Sequence, residues 1–120
     1  IVVIGTDAPM LPHQLRRVAK RAAIGIGRNG TPGGNNSGDI FLAFSVANDI
    51  AMEQMRGVPQ SMSFIPDDCF DSFYLAAVQA IEEAIVNALV AAESMTTVKP
   101  AGRICRAIDH RSLQAIAELV

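Results

Sequence analysis

Apolar residues cluster into segments whose internal spacing differs along the chain. The first segment, IVVIG (1–5), is a short run rich in β-branched residues that ends in a turn containing Pro9, which is typical of a buried strand. A second run, within Asp39–Asp49, is nearly continuous from Ile40 to Phe44 and predicts a strand covered on both faces. The segment SMSFI (61–65) predicts a further edge strand.

Two longer segments instead have apolar residues three and four positions apart, which predicts amphipathic helices. The first predicted helix covers residues 9–30, with Pro12 in its first turn and a stop at Asn29–Gly30. Its outer face is basic and carries Arg16, Arg17, Lys20 and Arg21. The second helix is predicted over residues 68–93 and would be about 39 Å long at 1.5 Å per residue.

The remaining chain is short and predicts a loop and one more helix. We expect a loop over TTVKPAGR (96–103) and a final helix capped by Asp109, with Leu113, Ile116 and Val120 facing inward. The fold class is therefore α/β, with layered helices and strands. Two or three strands make a sheet of marginal size, too small for two long helices to cover. We expect another polypeptide to complete the sheet.

Composition narrows the class of protein but not its activity. The 120 residues make one domain or a piece of one, and half of them are hydrophobic. A net charge of −2 argues against a nucleic-acid partner held by bulk charge. We expect a soluble protein without a membrane segment, since the uninterrupted apolar runs are shorter than about 20 residues. Cys69 and Cys105 are expected to be buried thiols.

The loop TPGGNNSGDI (31–40) is the main candidate for chemistry. It lacks the lysine of a phosphate-binding P-loop and opens a strand rather than a helix, which argues against a nucleotide site. The residue types leave two alternatives open, a plain connector or polar support for a catalytic group at the mouth of a strand. His13, His110 and the pair Glu82–Glu83 are expected on the surface, without metal-ligand spacing.

Several stretches together resemble a known family. The segments IVVIGTDAPMLPHQLRRVAKRAAIGIGRNG, NNSGDIFLAFSVAN and VQAIEEAIVNALVAAESM resemble the C-terminal (β) chain of the DmpA-type self-processing aminopeptidases, a family that includes L-aminopeptidase/D-amidase-esterases and β-peptidyl aminopeptidases. The resemblance reaches about Met95, and its segments occur in the family's order. It implies an αββα sandwich similar to the N-terminal-nucleophile hydrolases. Residues 1–120 would be the β chain of a single catalytic domain, completed by a separate α chain.

The resemblance also implies a mechanism and a site. The precursor would cut itself, and the new N-terminal serine, expected one or two residues before Ile1, would be the nucleophile of an acyl-enzyme. Ser37 matches the family's second serine, and Asp39 matches a carboxylate that is glutamate in some members. Asn36 and Gly38 would support the loop. No metal and no cofactor are expected.

Partners and alternatives follow from the same resemblance. We expect an α chain from the same precursor and an oligomer of αβ pairs, a tetramer, acting on small peptides, amides or esters, in the bacterial cytoplasm or periplasm. Preference for L-, D- or β-amino acids stays open. The competing hypothesis is a non-catalytic member that serves as a binding or assembly subunit.

Overall fold

The computed structural model describes residues 1–49, 57 and 59–118, and it divides into two compact units, Ile1–Glu82 and Glu83–Val120. In chain order the elements are β1 (Val2–Thr6), α1 (Pro12–Ala19), α2 (Ala22–Arg28), β2 (Phe41–Ser45), a 3-10 turn (Asp67–Cys69), α3 (Asp71–Ala91), β3 (Met95–Thr96), β4 (Ile104–Cys105) and α4 (His110–Ala117). The mixed α/β class expected from the sequence is confirmed.

Strands β1 and β2 pair in parallel in the first unit, with Val2 opposite Phe41 and Thr6 opposite Ser45. Side chains alternate between half-buried and exposed along both strands. One face of the pair is therefore covered and the other is open. The expectation that β2 is covered on both faces is wrong for this chain by itself, because Leu42 is 55% exposed.

The predicted helix over 9–30 is two helices, α1 and α2, separated at Lys20–Arg21. Pro12 occupies the start of α1 as expected, where its missing N–H costs nothing. At the break, Arg21 donates its backbone N–H to the Val18 carbonyl, 2.9 Å away. Lysine and arginine are both favourable in helices, so the sequence carries no sign of this interruption.

The core of the first unit lies between these helices, the covered face of the strands and the start of α3. Its buried apolar cluster comprises Met10, Val18, Phe70 and Ala77. The ring of Phe70 packs against Phe73 and Tyr74, with ring centroids 5.7 and 5.6 Å apart. Phe70 thus anchors the beginning of α3 to α1, through Val18.

Gln14 is a polar residue inside this core and is 1% exposed. Its Oε1 accepts the Leu11 N–H at 2.9 Å, and its Nε2 donates to the Ile65 carbonyl and to Asp67 Oδ1, both at 2.8 Å. Arg17 Nη1 donates to Asp67 Oδ2 at 2.9 Å. One side chain therefore caps α1 and holds the segment that leads into α3.

Helix α3 is the long helix predicted from the sequence, and it runs from the first unit into the second. By length and composition α3 could span a membrane, with a mean hydropathy of 1.4 over its most apolar window. No segment of this kind was expected from the sequence. Core helices of soluble proteins meet the same criteria of length and composition. Its first half buries Ala77, Val78 and Ile81, and Glu82 Oε1 accepts from Arg28 Nε at 2.7 Å.

Two other expectations about local structure are wrong, and a third is confirmed but incomplete. Residues 61–65 form no strand, because Asn48 bonds both backbone groups of Ser63 and takes the place of a strand partner. The predicted loop is confirmed over residues 97–103, but it connects two short strands, β3 and β4, that were not predicted, and Thr97 donates its N–H to the Arg103 carbonyl at 2.8 Å. Cys69 and Cys105 are exposed, since one lies in the 3-10 turn and the other in this two-stranded hairpin.

The last helix, α4, begins as expected. Asp109 caps it by accepting the Ser112 N–H at 3.0 Å and the Ser112 hydroxyl at 2.6 Å. Leu113 is half-buried, as predicted. The predicted inward side chains of Ile116 and Val120 lie outside the described part of the chain.

Candidate active site

The candidate loop connects the end of α2 to the start of β2. Asn29 closes the helix by donating Nδ2 to the Gly25 carbonyl at 2.9 Å, and Gly30 then turns the chain with a φ of 95°. A second turn follows, in which the Ser37 N–H donates to the Gly34 carbonyl at 2.8 Å. Every residue from 31 to 40 is exposed. The glycines and asparagines thus serve two successive turns that lead the chain into the strand.

The amino ends of both strands meet at this loop. Val2 donates its N–H to the Ile40 carbonyl at 2.9 Å, which extends the parallel ladder one residue beyond β2. Ile1 therefore lies beside Ile40, and Asp39 is the next residue toward the loop. The start of the chain and the Ser37–Asp39 segment, far apart in sequence, share one edge of the structure.

Ser37 and Asp39 are held by the backbone rather than by their side chains. Among the described residues, no hydrogen bond joins the Ser37 hydroxyl and the Asp39 carboxylate to each other or to a neighbour. Asn36 lies in the second turn and Gly38 between the two candidates, both exposed. The Ser37 hydroxyl and the Asp39 carboxylate are therefore unobstructed, and they lie next to the start of β1. A hydroxyl can relay a proton there, and a carboxylate can orient an amine.

The carboxyl ends of the strands are the usual place for a ligand in a parallel α/β sheet, and here they carry polar side chains as well. Those side chains are already occupied. Thr6 Oγ1 accepts the Ala8 N–H at 3.1 Å, and Ser45 Oγ donates to the Ala8 carbonyl at 2.6 Å. Both side chains bond to the backbone of the loop, so at the carboxyl ends of the strands they stabilise turns.

Two basic side chains of the predicted outer face already have partners among the described residues. Arg17 pairs with Asp67, and the Arg21 guanidinium lies 4.0 Å from the centre of the Tyr74 ring. The hydrogen bond from Gln14, followed by the one from Arg17, lowers the pKa of Asp67 below its usual value. These contacts join α1 and the Lys20–Arg21 break that follows it to the start of α3, and they stabilise the fold.

Other candidates behave largely as expected. His13, His110 and Glu83 are exposed, whereas Glu82 is half-buried by its pairing with Arg28. In the described residues, no three His, Cys, Asp or Glu side chains converge as metal ligands. Gln14 was not predicted from the sequence, although a single polar residue in the apolar stripe of a helix is a visible signal of a buried hydrogen-bonding role.

Comparison with known proteins gives a consistent result. The profile described as Peptidase family S58 matches residues 1–102. A β-peptidyl aminopeptidase, BapA of Sphingosinicella microcystinivorans, is 51% identical over 97% of this chain and 28% of its own length. This chain therefore spans less than a third of that relative.

Solved structures match over nearly all of the chain. The L-aminopeptidase D-Ala-esterase/amidase of Ochrobactrum anthropi, described as a variant of the Ntn hydrolase fold, superposes with a TM-score of 0.87 at 52% identity, over 98% of this chain and 32% of that one. A β-aminopeptidase of Burkholderia sp. superposes with a TM-score of 0.83 at 36% identity, over 97% of this chain and 34% of that one. The resemblance and the N-terminal-nucleophile type of fold are thereby confirmed.

Proposed function

Because the chain belongs to peptidase family S58, we propose that the protein is a self-processed serine aminopeptidase, with this chain as the part that carries Ser37 and Asp39 and follows the nucleophilic serine. It releases N-terminal residues from peptides, amides or esters through an acyl-enzyme. The relatives' names, a β-peptidyl aminopeptidase and an L-aminopeptidase D-Ala-esterase/amidase, support this class of substrate.

The observation that carries the proposal is the register of the parallel pair. The bond from the Val2 N–H to the Ile40 carbonyl aligns Ile1 with Ile40. Continued in the same register, the residue before Ile1 lies opposite Asp39, and the one before that lies opposite Gly38. A serine at either place has the loop containing Ser37 and Asp39 as its neighbour.

The roles follow from this placement. The serine freed at the new N-terminus attacks the substrate carbonyl, and its own amine, with a reference pKa of about 7.7–8.0, takes part in proton transfer. Ser37 hydrogen-bonds that serine. The Asp39 carboxylate orients Ser37 or the protonated amine, and Asn36 and Gly38 shape the turn that presents them. Release of the amine leaves an acyl-enzyme, which water then hydrolyses.

The rest of the active protein comes from the same precursor. The open face of the strand pair, with Val3 58% and Leu42 55% exposed, supports a second layer of protein over it. We assign that layer to the α chain and expect the αβ pairs to assemble into a tetramer. Groups that stabilise the oxyanion and bind the substrate amine belong to that α chain.

The test uses the full-length precursor. Intact mass and N-terminal sequencing should give two chains, with the second beginning at a serine one or two residues before Ile1. Ser37→Ala and Asp39→Asn should each lower kcat/KM for an amino-acid amide by about 10²–10⁴-fold, the usual range for proton-transfer groups. Asn35→Ala, in the same exposed turn, is the matched control and should retain activity.

Two outcomes would sink the proposal. A residue other than serine at the start of the second chain removes the nucleophile and leaves a non-catalytic binding or assembly subunit. Unchanged turnover in both Ser37→Ala and Asp39→Asn removes the assigned roles even in an active enzyme.

A further inference from the structure

We infer that Arg28 and Glu82 are positioning residues for Ser37, because their ion pair fixes the end of α2 from which the candidate loop departs. The inference deepens the proposed function and rests on it, since Ser37 is a catalytic residue only if that proposal holds. The pair acts through the loop, residues 31–40, rather than on the substrate. It sets where the loop presents its hydroxyl and its carboxylate.

The first step concerns how the loop is attached to the rest of the structure. Within the described part of the chain, the hydrogen bonds of residues 31–39 are local. The Gly33 N–H donates to Thr31 Oγ1 at 3.3 Å, and the Ser37 N–H donates to the Gly34 carbonyl at 2.8 Å. Every side chain of the loop is exposed, so none of them anchors it in the core. The position of the loop therefore depends on its two ends, one at α2 and the other at β2.

The end at β2 is fixed by the strand pair. The Ile40 carbonyl accepts the Val2 N–H at 2.9 Å, and the parallel ladder continues from there to Thr6 and Ser45. The end at α2 has no such ladder, and the end of a helix frays unless other groups hold it. What holds α2 therefore decides how well the loop is placed.

The end at α2 is held from within the helix and from α3. Asn29 closes the helix by donating Nδ2 to the Gly25 carbonyl at 2.9 Å. Arg28, the last residue of α2, donates Nε to Glu82 Oε1 at 2.7 Å and so joins this end to α3. One turn earlier, Gly25 is buried close to Ile81, the residue before Glu82. The ion pair thus extends the contact between the two helices to the point where the loop begins.

The pair suits positioning more than overall stability. The Arg28 side chain is 59% exposed and that of Glu82 is 25% exposed, so water screens the pair and its effect on global unfolding is small. A charge-assisted hydrogen bond is nevertheless short and directional. A misplacement of about 1 Å can lower the rate of an enzyme by about 100-fold. A weak anchor at the base of the loop can therefore matter for Ser37.

The first experiment measures hydrolysis of an amino-acid amide by the full-length protein. Arg28→Met and Glu82→Gln should each lower kcat at least about threefold while KM stays within about twofold, because a misplaced Ser37 weakens the transition state more than substrate binding. Arg17→Met is the matched control. It breaks the ion pair with Asp67, also 2.9 Å long, which lies on the segment leading into α3 and does not hold the loop. Its kcat should stay within about twofold of wild type.

The double variant tests whether the two residues act as a pair. Arg28→Met combined with Glu82→Gln should lower kcat no more than either substitution alone, because the first change has already removed the interaction. Glu83→Gln, at the exposed neighbouring glutamate, controls for the loss of one negative charge and should retain kcat. Losses that multiply in the double variant, or an unchanged kcat in both single variants, would overturn the inference.

Amide hydrogen exchange separates this inference from the catalytic proposal, because it needs no turnover. In Arg28→Met the N–H groups of Gly30 and Ser37 should exchange about two- to fivefold faster than in wild type, the range that an exposed ion pair can contribute. The Val2 N–H, at the β2 end, should be unchanged, and Arg17→Met should alter none of the three. Unaltered exchange at Ser37 in Arg28→Met would overturn the inference even in an active enzyme. Faster exchange in a protein without turnover would support the anchoring role and count against the proposed function alone.

Discussion

Gly25 and Ile81 touch where α2 crosses α3. A Cβ placed on Gly25 would lie 3.0 Å from Cβ and Cγ2 of Ile81 and 3.0 Å from the Val78 carbonyl oxygen. That approach is shorter than normal contact, and one of the obstacles is backbone. The absence of a side chain at position 25 therefore sets how closely the two helices pack.

Gly25→Ala should destabilise the protein by about 1–3 kcal/mol, because the helices must separate to admit the methyl group. Gly27→Ala is the matched control, since a Cβ there meets no atom within 4 Å. It should stabilise α2 by about 0.5–1 kcal/mol through helix propensity. Urea unfolding of the full-length protein measures both, and changes of the same sign would contradict the packing argument.

Gln14→Ala should cost about 3 kcal/mol of unfolding free energy. The substitution removes three hydrogen bonds at a buried position and leaves the Ile65 carbonyl without its donor. Gln79→Ala, on the exposed side of α3, should change stability by no more than about 0.5 kcal/mol. Equal effects of the two substitutions in urea unfolding would contradict a stabilising role for the Gln14 hydrogen bonds.

The Asp67 carboxylate should make stability sensitive to acid. The hydrogen bond from Gln14, and after it the one from Arg17, lowers the pKa of Asp67 in the folded protein. Its contribution is therefore complete above the unfolded pKa of about 3.9 and is lost as the pH falls through the lower folded pKa.

The difference in urea midpoint between wild type and Asp67→Asn should accordingly be largest near neutral pH and shrink below about pH 4. Asp7→Asn, at another exposed aspartate, controls for the loss of one charge. A difference for Asp67→Asn that stays constant from pH 7 to pH 2 would show that stability does not depend on ionisation of the Asp67 carboxylate.

Asp39→Glu tests the role assigned to charge in the candidate loop. The site is open and exposed, so a longer carboxylate can be accommodated, and kcat/KM for an amino-acid amide should stay within about tenfold of wild type. Asp39→Asn keeps the size but removes the charge and should lose about 10²–10⁴-fold. Equal losses in both variants would show that the length of the side chain matters as well as its charge, and full activity in Asp39→Asn would refute the role assigned to the charge.

The sequence pattern predicted the elements with a strong hydrophobic periodicity. It missed those set by contacts between residues far apart in the sequence. The β-branched run of β1 and the long stripe of α3 were visible. The break at Lys20–Arg21 was not, because both residues favour a helix. Residues 61–65 have strand-like composition, but the Asn48 side chain bonds Ser63 and replaces the strand partner.

The candidate site was likewise predicted only in part. Residue types singled out Ser37 and Asp39 but left a plain connector as an open alternative, and the family resemblance was needed to give them roles. What the sequence alone could not supply was register. The register of the strand pair, extended by the bond between Val2 and Ile40, places Ile1 beside Ile40, so that the preceding residue would lie opposite Asp39.

That bond also has a consequence for the order of events in maturation. Val2 and Phe41 pair across 39 residues, and the intervening chain includes both α1 and α2. Contacts between residues so far apart in sequence form slowly, because the two distant segments must first be brought together. Under the proposed function, an unfolded precursor has no Asp39 loop beside its scissile bond. Self-cleavage would then depend on folding, since only a precursor that has already folded can release the amine that makes it an enzyme.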